Sequence, residues 1–395
     1  QIFRDDQVTI LGRLDTGGWY LIQSPFGPGW VVARLGEVFD PGGVFLPDVA
    51  PPPPPTATPA PTIAITASAN LNPAPNQNPS FSNTSTTSFE LGGQVRSQNV
   101  AELMRTAGMT WVKEQVRWEL GETADKAALG AINAAHAQGM KILVSSVGWS
   151  HEMGDFESYA SAYADYLRGV AALNPDAIEV WNEPNIEVEW VAGQINGANY
   201  TRLLEKAYNA IKSVNPNVLV ISAALAPTGF FGGGCAAGGC DDDIFLRQMA
   251  QAGAVNYMDC IGVHHNEGTV SPTQSSGDPR GSHHSYYFPS MVELYYNTFG
   301  GAKPLCFTEV GYISPEGYTG LPPNFAWGSG ITVQNQAQWL SEAVQVARQS
   351  GRVRMLIVWN INFTTTDGND PRGQFAIIRP DGTCPACISL GNVMQ

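Results

Sequence analysis

From Phe89 to the C-terminus, short apolar runs alternate with longer helical patterns, and this alternation limits the fold more than any other feature of the chain. Strand-length runs separated by amphipathic stretches of ten or more residues call for parallel strands joined by crossover helices. Strands are predicted over Phe89–Gln94, Trp111–Trp118, Lys141–Trp149, Ile178–Asn182, Val218–Ala224, Cys260–His264, Pro304–Val310 and Arg354–Asn360. Helices are predicted between them, around Asn99–Ala107, Asp125–Gln138, Phe156–Leu173, Asn199–Val214, Asp242–Ala252, Ser290–Thr298 and Val333–Gln349. Eight strands with seven intervening helices match an α/β chain closed into a TIM (β/α)8 barrel. The alternative is a doubly wound open sheet, which carries a Gly-rich phosphate loop after its first strand. Leu91-Gly92-Gly93-Gln94 does not supply GxGxxG, so the barrel is the expected fold.

The chain before Phe89 is of another kind. Residues 1–46 hold short apolar runs broken by Gly: Val8-Thr9-Ile10-Leu11, Trp19-Tyr20-Leu21-Ile22 and Gly29-Trp30-Val31-Val32. These read as a small all-β segment. Pro51 to Pro55 then open a tract of Pro, Thr, Ala, Asn and Ser that reaches Thr87. Such a tract buries too little apolar surface to fold and favours extended backbone, so 47–87 is expected to be a linker and 88–395 the barrel domain.

With 35 acidic against 21 basic residues the net charge is −14. Phosphate backbones and anionic lipid surfaces would repel such a chain, which argues against nucleic acid as a partner. No apolar run is long enough to span a bilayer, so membrane insertion is not expected. The chain begins at Gln1 rather than Met, which fits a processed, exported protein. Six cysteines fall as Cys235/Cys240, Cys260/Cys306 and Cys384/Cys387, an even number suited to disulfides in an oxidising compartment. The CxxC at Cys384–Cys387 lacks a second pair to complete a zinc site.

In a TIM barrel the functional residues sit at the C-terminal ends of the strands. Two predicted strands end there on an isolated carboxylate: the fourth in Val180-Trp181-Asn182-Glu183-Pro184-Asn185, the seventh in Thr308-Glu309-Val310-Gly311. A charge on such a strand is costly unless it is paired or functional. The bland reading is a salt bridge in the barrel mouth. Strands four and seven lie on opposing sides, however, so Glu183 and Glu309 can face each other across a bound sugar. Glycoside hydrolysis needs that pairing: one carboxyl to protonate the leaving oxygen, the other to attack the anomeric carbon.

Trp181-Asn182-Glu183-Pro184 with Glu309 resembles the clan A glycoside hydrolases, and Trp111-Val112-Lys113 and the overall spacing look most like glycoside hydrolase family 39 and its bacterial relatives. The resemblance implies Glu183 as acid/base and Glu309 as nucleophile. It implies Asn182 as a ligand of the sugar 2-hydroxyl, His264 as a strand-six site residue and Trp359 as the sugar-stacking floor. It also implies a basic residue on strand two bracing the nucleophile, a role open to Lys113 or Arg117. The aromatic that the clan often has two residues beyond the strand-six His is replaced here by Asn266.

Trp118, Trp149, Trp190 and Trp327 fall at or beyond strand ends, where faces can stack on sugars; Trp149 and Trp327 are the chosen candidates, whereas Trp111 and Trp339 read as core. His264-His265 point to opposite faces of their strand, so one ion could rarely take both, and His283-His284 read as loop residues. No metal or organic cofactor is expected. Asp241-Asp242-Asp243 reads as the charged N-terminus of a helix. The N-terminal segment resembles a bacterial SH3-like module lacking its first strand or two. That resemblance implies a module able to hold cell-wall glycan or peptide.

The expected protein is thus a secreted retaining β-glycosidase acting on a polysaccharide or oligosaccharide. Long loops over Glu187–Gly197, Pro227–Cys240, Asn266–Tyr287 and Ser314–Gly330 lean towards endo cleavage. The alternatives are a non-catalytic carbohydrate- or wall-binding protein and a transglycosylase using the same Glu pair.

Overall fold

The computed structural model describes residues 89–364 and 370–395, together with three short strands nearer the N-terminus. Those three, Thr9–Arg13, Trp19–Ser24 and Gly27–Val32, form an antiparallel meander. The rest of the segment expected to be SH3-like, and the whole of the expected linker over 47–87, lie outside the described residues. Contacts divide the chain into Gln1–Ser80 and Phe81–Gln395.

The larger unit is a (β/α)8 barrel. Its strands are β1 (Glu90–Gln94), β2 (Trp111–Arg117), β3 (Lys141–Val147), β4 (Ala177–Val180), β5 (Leu219–Ser222), β6 (Ile261–His265), β7 (Leu305–Val310) and β8 (Val353–Val358). Each pairs in parallel with the next, and β8 pairs with β1. A parallel bridge from Ile221 to Cys260, with Ser222 N–H donating to the Cys260 carbonyl at 3.1 Å, closes the ring between β5 and β6.

The strand period of two divides the apolar residues between two cores. Trp111, Leu143, Leu219, Ile221, Cys260, Cys306, Met355 and Ile357 fill the barrel interior. Their neighbours Val112, Ile142, Val144, Ile178 and Val220 face outward into the layer that the helices cover.

The crossover helices are α1 (Ala101–Thr106), α2 (Ala124–Ala137), α3 (Phe156–Ala172), α4 (Gly197–Val214), α5 (Asp242–Gln251), α6 (Phe288–Thr298) and α7 (Val333–Ser350). An eighth, α8 (Pro385–Met394), is absent from the sequence-based expectation. Its Cys387, Gly391, Asn392 and Val393 carry poor helix propensity. It forms because Leu390 and Ala386 are buried and because Gly391 lets it lie directly on the Thr106 carbonyl, where a Cβ would come within 2.2 Å.

All three cysteine pairs are disulfides, Cys384–Cys387 at the start of α8 included. Two tryptophans weighed as sugar contacts are core instead. Trp118 and Trp190 are each 1% exposed, packed with Tyr159, Tyr163, Tyr166, Trp181 and Tyr200 on the outer side of the sheet. Their large apolar area outweighs their place near strand ends. No described helix is long and apolar enough to cross a membrane.

Candidate active site

The chain leaving β4 is held in an uncommon conformation. Trp181 and Glu183 have φ of 78° and 44°, in the left-handed region that costs a non-glycine residue on the order of 1–3 kcal/mol. The surroundings fix it from both sides. The Trp181 ring is fully buried among outer-layer aromatics, and its indole N–H donates to the Glu189 carbonyl at 2.9 Å. Glu183 N–H donates to the Ala224 carbonyl at 2.9 Å, and buried Asn185 ties the following loop to Ala226 and Cys240. With Trp181 turned outward, Glu183 is left facing the barrel mouth, its side chain 23% exposed.

Glu309 reaches the same place from β7. Alternation from Cys306, which is interior, would turn Glu309 outward. A register shift corrects this: Val263 pairs with Phe307, but His264 pairs with Glu309, so Thr308 is the extra residue. His264 Nδ1 then lies 2.9 Å from Glu183 Oε1 and 3.9 Å from Glu309 Oε2. Neighbouring His265 points the other way, against Phe288 and Tyr312.

Beneath the carboxylates lies a buried ion network. Lys113 Nζ contacts Glu309 Oε1 at 3.2 Å, Glu179 Oε2 at 3.1 Å and the Thr308 carbonyl at 3.1 Å. Thr308 Oγ1 donates to Glu179 Oε1 at 2.6 Å. Burial alone would discharge Lys113, but the two carboxylates outweigh it and hold its pKa above the usual lysine value. Burial likewise opposes ionisation of Glu179, and Lys113 and His264 overcome it, so its carboxyl is held below the ordinary range. His264 is raised: Glu309 and Glu183 outweigh the burial of its ring.

The remaining predicted residues are placed around this centre. Of the two basic candidates on β2, Lys113 contacts Glu309, whereas Arg117 pairs with Glu189 at 2.7 Å and lies over the Trp149 ring at 4.9 Å. Trp149 is 37% exposed at the rim. Asn182 is buried, its amide within 3.5 Å of Glu189 Oε1 and its carbonyl oxygen without a hydrogen-bond partner. Trp359 ends β8, half-buried against Phe375 at 4.7 Å. Trp327 sits on the β7–α7 loop, where Arg280 lies over its ring at 4.6 Å. Glu183 with His264 and Glu309 with Lys113 are thus two hydrogen-bonded pairs, joined by the 3.9 Å approach of His264 to Glu309. Trp149, Trp327 and Trp359 stand further out.

Several participants escape the sequence reading. Glu179 is a mid-strand charge in an apolar run, the signal applied to Glu183 and Glu309 but not carried four residues back from Glu183. Asn266, noted only as the missing aromatic, donates to Glu309 Oε2 at 3.2 Å. Glu267 follows it, its pKa pushed by burial to about 7. The Asp triplet also departs from expectation: Asp241 makes no side-chain cap bond to its helix. Its carboxylate accepts instead from Phe231 N–H and Gly233 N–H, Asp242 pairs with His284, and Asp243 pairs with Arg247. Asp241 anchors the loop before α5, which brings six glycines and no other charge.

Chemically, this is a pair of carboxyl groups bridged by one imidazole, one of them fixed by an ammonium and an amide, at the open end of a barrel. Such a pair can deliver a proton to one atom while the second carboxylate attacks or stabilises its neighbour.

No family model matches the chain, and no curated protein matches it. Solved structures do. A family 39 glycoside hydrolase from Bacteroides cellulosilyticus WH2 superposes with TM-score 0.55 at 18% identity, covering 78% of this chain and 64% of that one. A glucosidase from Croceicoccus marinus gives 0.54 at 12% identity, covering 78% and 68%. An endo-beta-1,4-glucanase from Xanthomonas axonopodis pv. citri gives 0.52 at 14%, covering 78% and 99%. The chain therefore spans just under two thirds of the family 39 structure, and what these likenesses establish is the (β/α)8 fold.

Proposed function

We propose that the barrel is a retaining β-glycoside hydrolase, with Glu183 as acid/base and Glu309 as nucleophile. One observation carries the reading: a single imidazole nitrogen touches one carboxylate and approaches the other. The two distances cap the separation of those oxygens at about 7 Å, against roughly 5–5.5 Å between carboxyls for retention and roughly 6.5–9.5 Å for inversion. The cap accommodates the retaining separation.

The two carboxyls also differ in the way the roles demand. Glu309 is almost buried, and Lys113 and Asn266 hold one carboxylate oxygen each, which fixes the group in place for attack. Glu183 is the more exposed and has only His264 as a charged partner, so it is free to exchange a proton with the leaving oxygen and then with water. Asn182, with its unpartnered carbonyl oxygen, is the candidate ligand for a hydroxyl beside the reacting carbon. Trp149, Trp359 and Trp327 are the stacking surfaces. The superposing structures are those of a family 39 glycoside hydrolase, a glucosidase and an endo-beta-1,4-glucanase, which is consistent with this reading. The substrate is a β-linked polysaccharide or oligosaccharide, and the long mouth loops favour internal cleavage. The three disulfides fit an exported protein.

The test is hydrolysis of aryl β-glycosides and polysaccharides by wild type, Glu183→Ala and Glu309→Ala, with azide added. Loss of activity in both variants, with azide rescuing each to a glycosyl azide of opposite anomeric configuration, supports both roles. Activity surviving in either variant removes that residue from its role. Products lengthened by added acceptor sugars would make the enzyme a transglycosylase, and glycan binding without any cleavage would make the barrel a lectin-like binder.

A further inference from the structure

Away from the carboxylate pair, two loops on the same side of the barrel bring three metal-ligating side chains together. Asp242 opens α5, and His283 and His284 belong to the segment between β6 and α6. The Asp242 carboxylate is fully buried, with its oxygens 2.9 and 3.0 Å from His284 Nε2. The His283 ring stands 4.0 Å from the His284 ring. One ligand atom from each of the three residues lies within 4.8 Å of the other two. A salt bridge accounts for Asp242 and His284, and Ser285 holds Nδ1 of His283, which leaves Nε2 of that second imidazole as the ligand atom it offers.

We propose that Asp242, His283 and His284 bind one divalent transition-metal ion of the zinc class. Two imidazoles with one carboxylate are a donor set for such ions, whereas calcium and magnesium take oxygen donors. Tetrahedral bonds of about 2.0–2.1 Å put ligand atoms about 3.3 Å apart. Asp242 and His284 need open only slightly to admit an ion between them, and His283 closes in from the loop.

The three residues also have the outer partners that hold metal ligands in orientation. His283 Nδ1 is 2.9 Å from Ser285 Oγ, and the buried Tyr295 hydroxyl donates to Asp242 Oδ2 at 3.4 Å. The flanking acids are engaged elsewhere, Asp241 with backbone N–H groups and Asp243 with Arg247, so the site is not a diffuse acidic patch. Three protein ligands leave a fourth position to water. The ion's role is structural: it pins α5 to the loop that runs from Asn266, which contacts Glu309, past Arg280, which covers Trp327. This site does not rest on the catalytic reading.

The experiment uses the full chain, stripped with chelator and titrated with Zn2+ alone by calorimetry. One equivalent binds to wild type, and His283→Gln weakens binding by at least about tenfold. The metal-free melting temperature of that variant stays at the wild-type value, because the Asp242–His284 pair remains. Absence of binding to wild type overturns the proposal, as does binding that His283→Gln leaves unchanged. Should the variant fail to fold, Co2+ bound to wild type decides. Strong visible absorption of a four-coordinate, nitrogen-ligated ion supports the site, and the faint spectrum of a hydrated ion overturns it.

Discussion

The fully buried ammonium of Lys113 on β2 stands 3.1 Å from Glu179, an equally buried carboxylate two strands away on β4. The same ammonium holds Glu309 at 3.2 Å, so one positive charge serves two negative ones. Breaking a buried pair by removing one partner costs about 3–5 kcal/mol, because the remaining charge is stranded. Lys113→Met is therefore expected to lose at least that much stability in urea unfolding, together with activity. Adding Glu179→Met should recover most of the stability, since an apolar pair of similar volume replaces the ion pair. Activity should stay low, because Glu309 has still lost its brace. A single variant as stable as wild type would show that the pair does not form.

Asn266 tests the nucleophile from its other side. Its amide donates to Glu309 Oε2 at 3.2 Å. A hydrogen bond to a charged group contributes about 1.5–3 kcal/mol, so Asn266→Ala should lower kcat/KM roughly 10- to 150-fold. Asn266 is half-buried and anchors no core element, so the melting temperature should move little. An equal fall in kcat and kcat/KM would place the interaction in the transition state; a change in KM alone would make Asn266 a substrate contact.

The barrel was legible because both of its periods are written in the chain. Strand runs such as Lys141–Val147 and amphipathic helices such as Gly197–Val214 each bury one face, and the expected and observed ends differ by at most two residues. The carboxylates at the ends of β4 and β7 were legible as costly charges in apolar runs. What escaped depends on geometry that no local pattern encodes. The extra residue at Thr308 turns Glu309 inward only because β6 and β7 pair as they do. Glu179 and Lys113 are far apart in sequence and meet only inside a closed barrel. Asp242 looked like a capping residue because its partner His284 arrives from a loop more than forty residues away. Trp118 and Trp190 show the converse, aromatics that local position put at the mouth and packing put in the core.

Two groups, His265 at the end of β6 and Glu267 on the loop after it, should pull stability in opposite directions with pH. Burial holds the His265 imidazole down to about 3 from 6.5, so protons bind the unfolded chain first as pH falls. Its contribution is present above pH 6.5 and is lost as pH falls towards 3. Burial, with repulsion from Asp242 and Glu183 and against attraction from Arg280, raises Glu267 to about 7 from 4.5. Here the folded state holds the proton more tightly, so the contribution is full below pH 4.5 and lost as pH rises through 7. In metal-free protein, Glu267→Gln removes the second effect alone. Relative to wild type, the variant should gain on the order of 3 kcal/mol between pH 4.5 and 7. Parallel stability curves for the two proteins would show that Glu267 is ionised like any surface carboxylate.

The Cys260–Cys306 disulfide ties β6 to β7 from inside the barrel, two strands that carry His264 and Glu309. It closes a loop with a sequence separation of 46. In the chain-entropy account such a crosslink contributes about 4 kcal/mol, and measured losses on removal run from about 2 to 5 kcal/mol. The double variant Cys260→Ala/Cys306→Ala should lose stability in that range by denaturant unfolding. The other two bridges span separations of only 5 and 3 residues, so removing either should cost less. The ranking is the discriminating part. If the bridge between β6 and β7 matters no more than the short ones, the crosslink is acting only on local geometry. If it ranks first, and His264→Gln is then no more harmful in the reduced enzyme than in the oxidised one, the disulfide sets stability without setting the His264–Glu309 register.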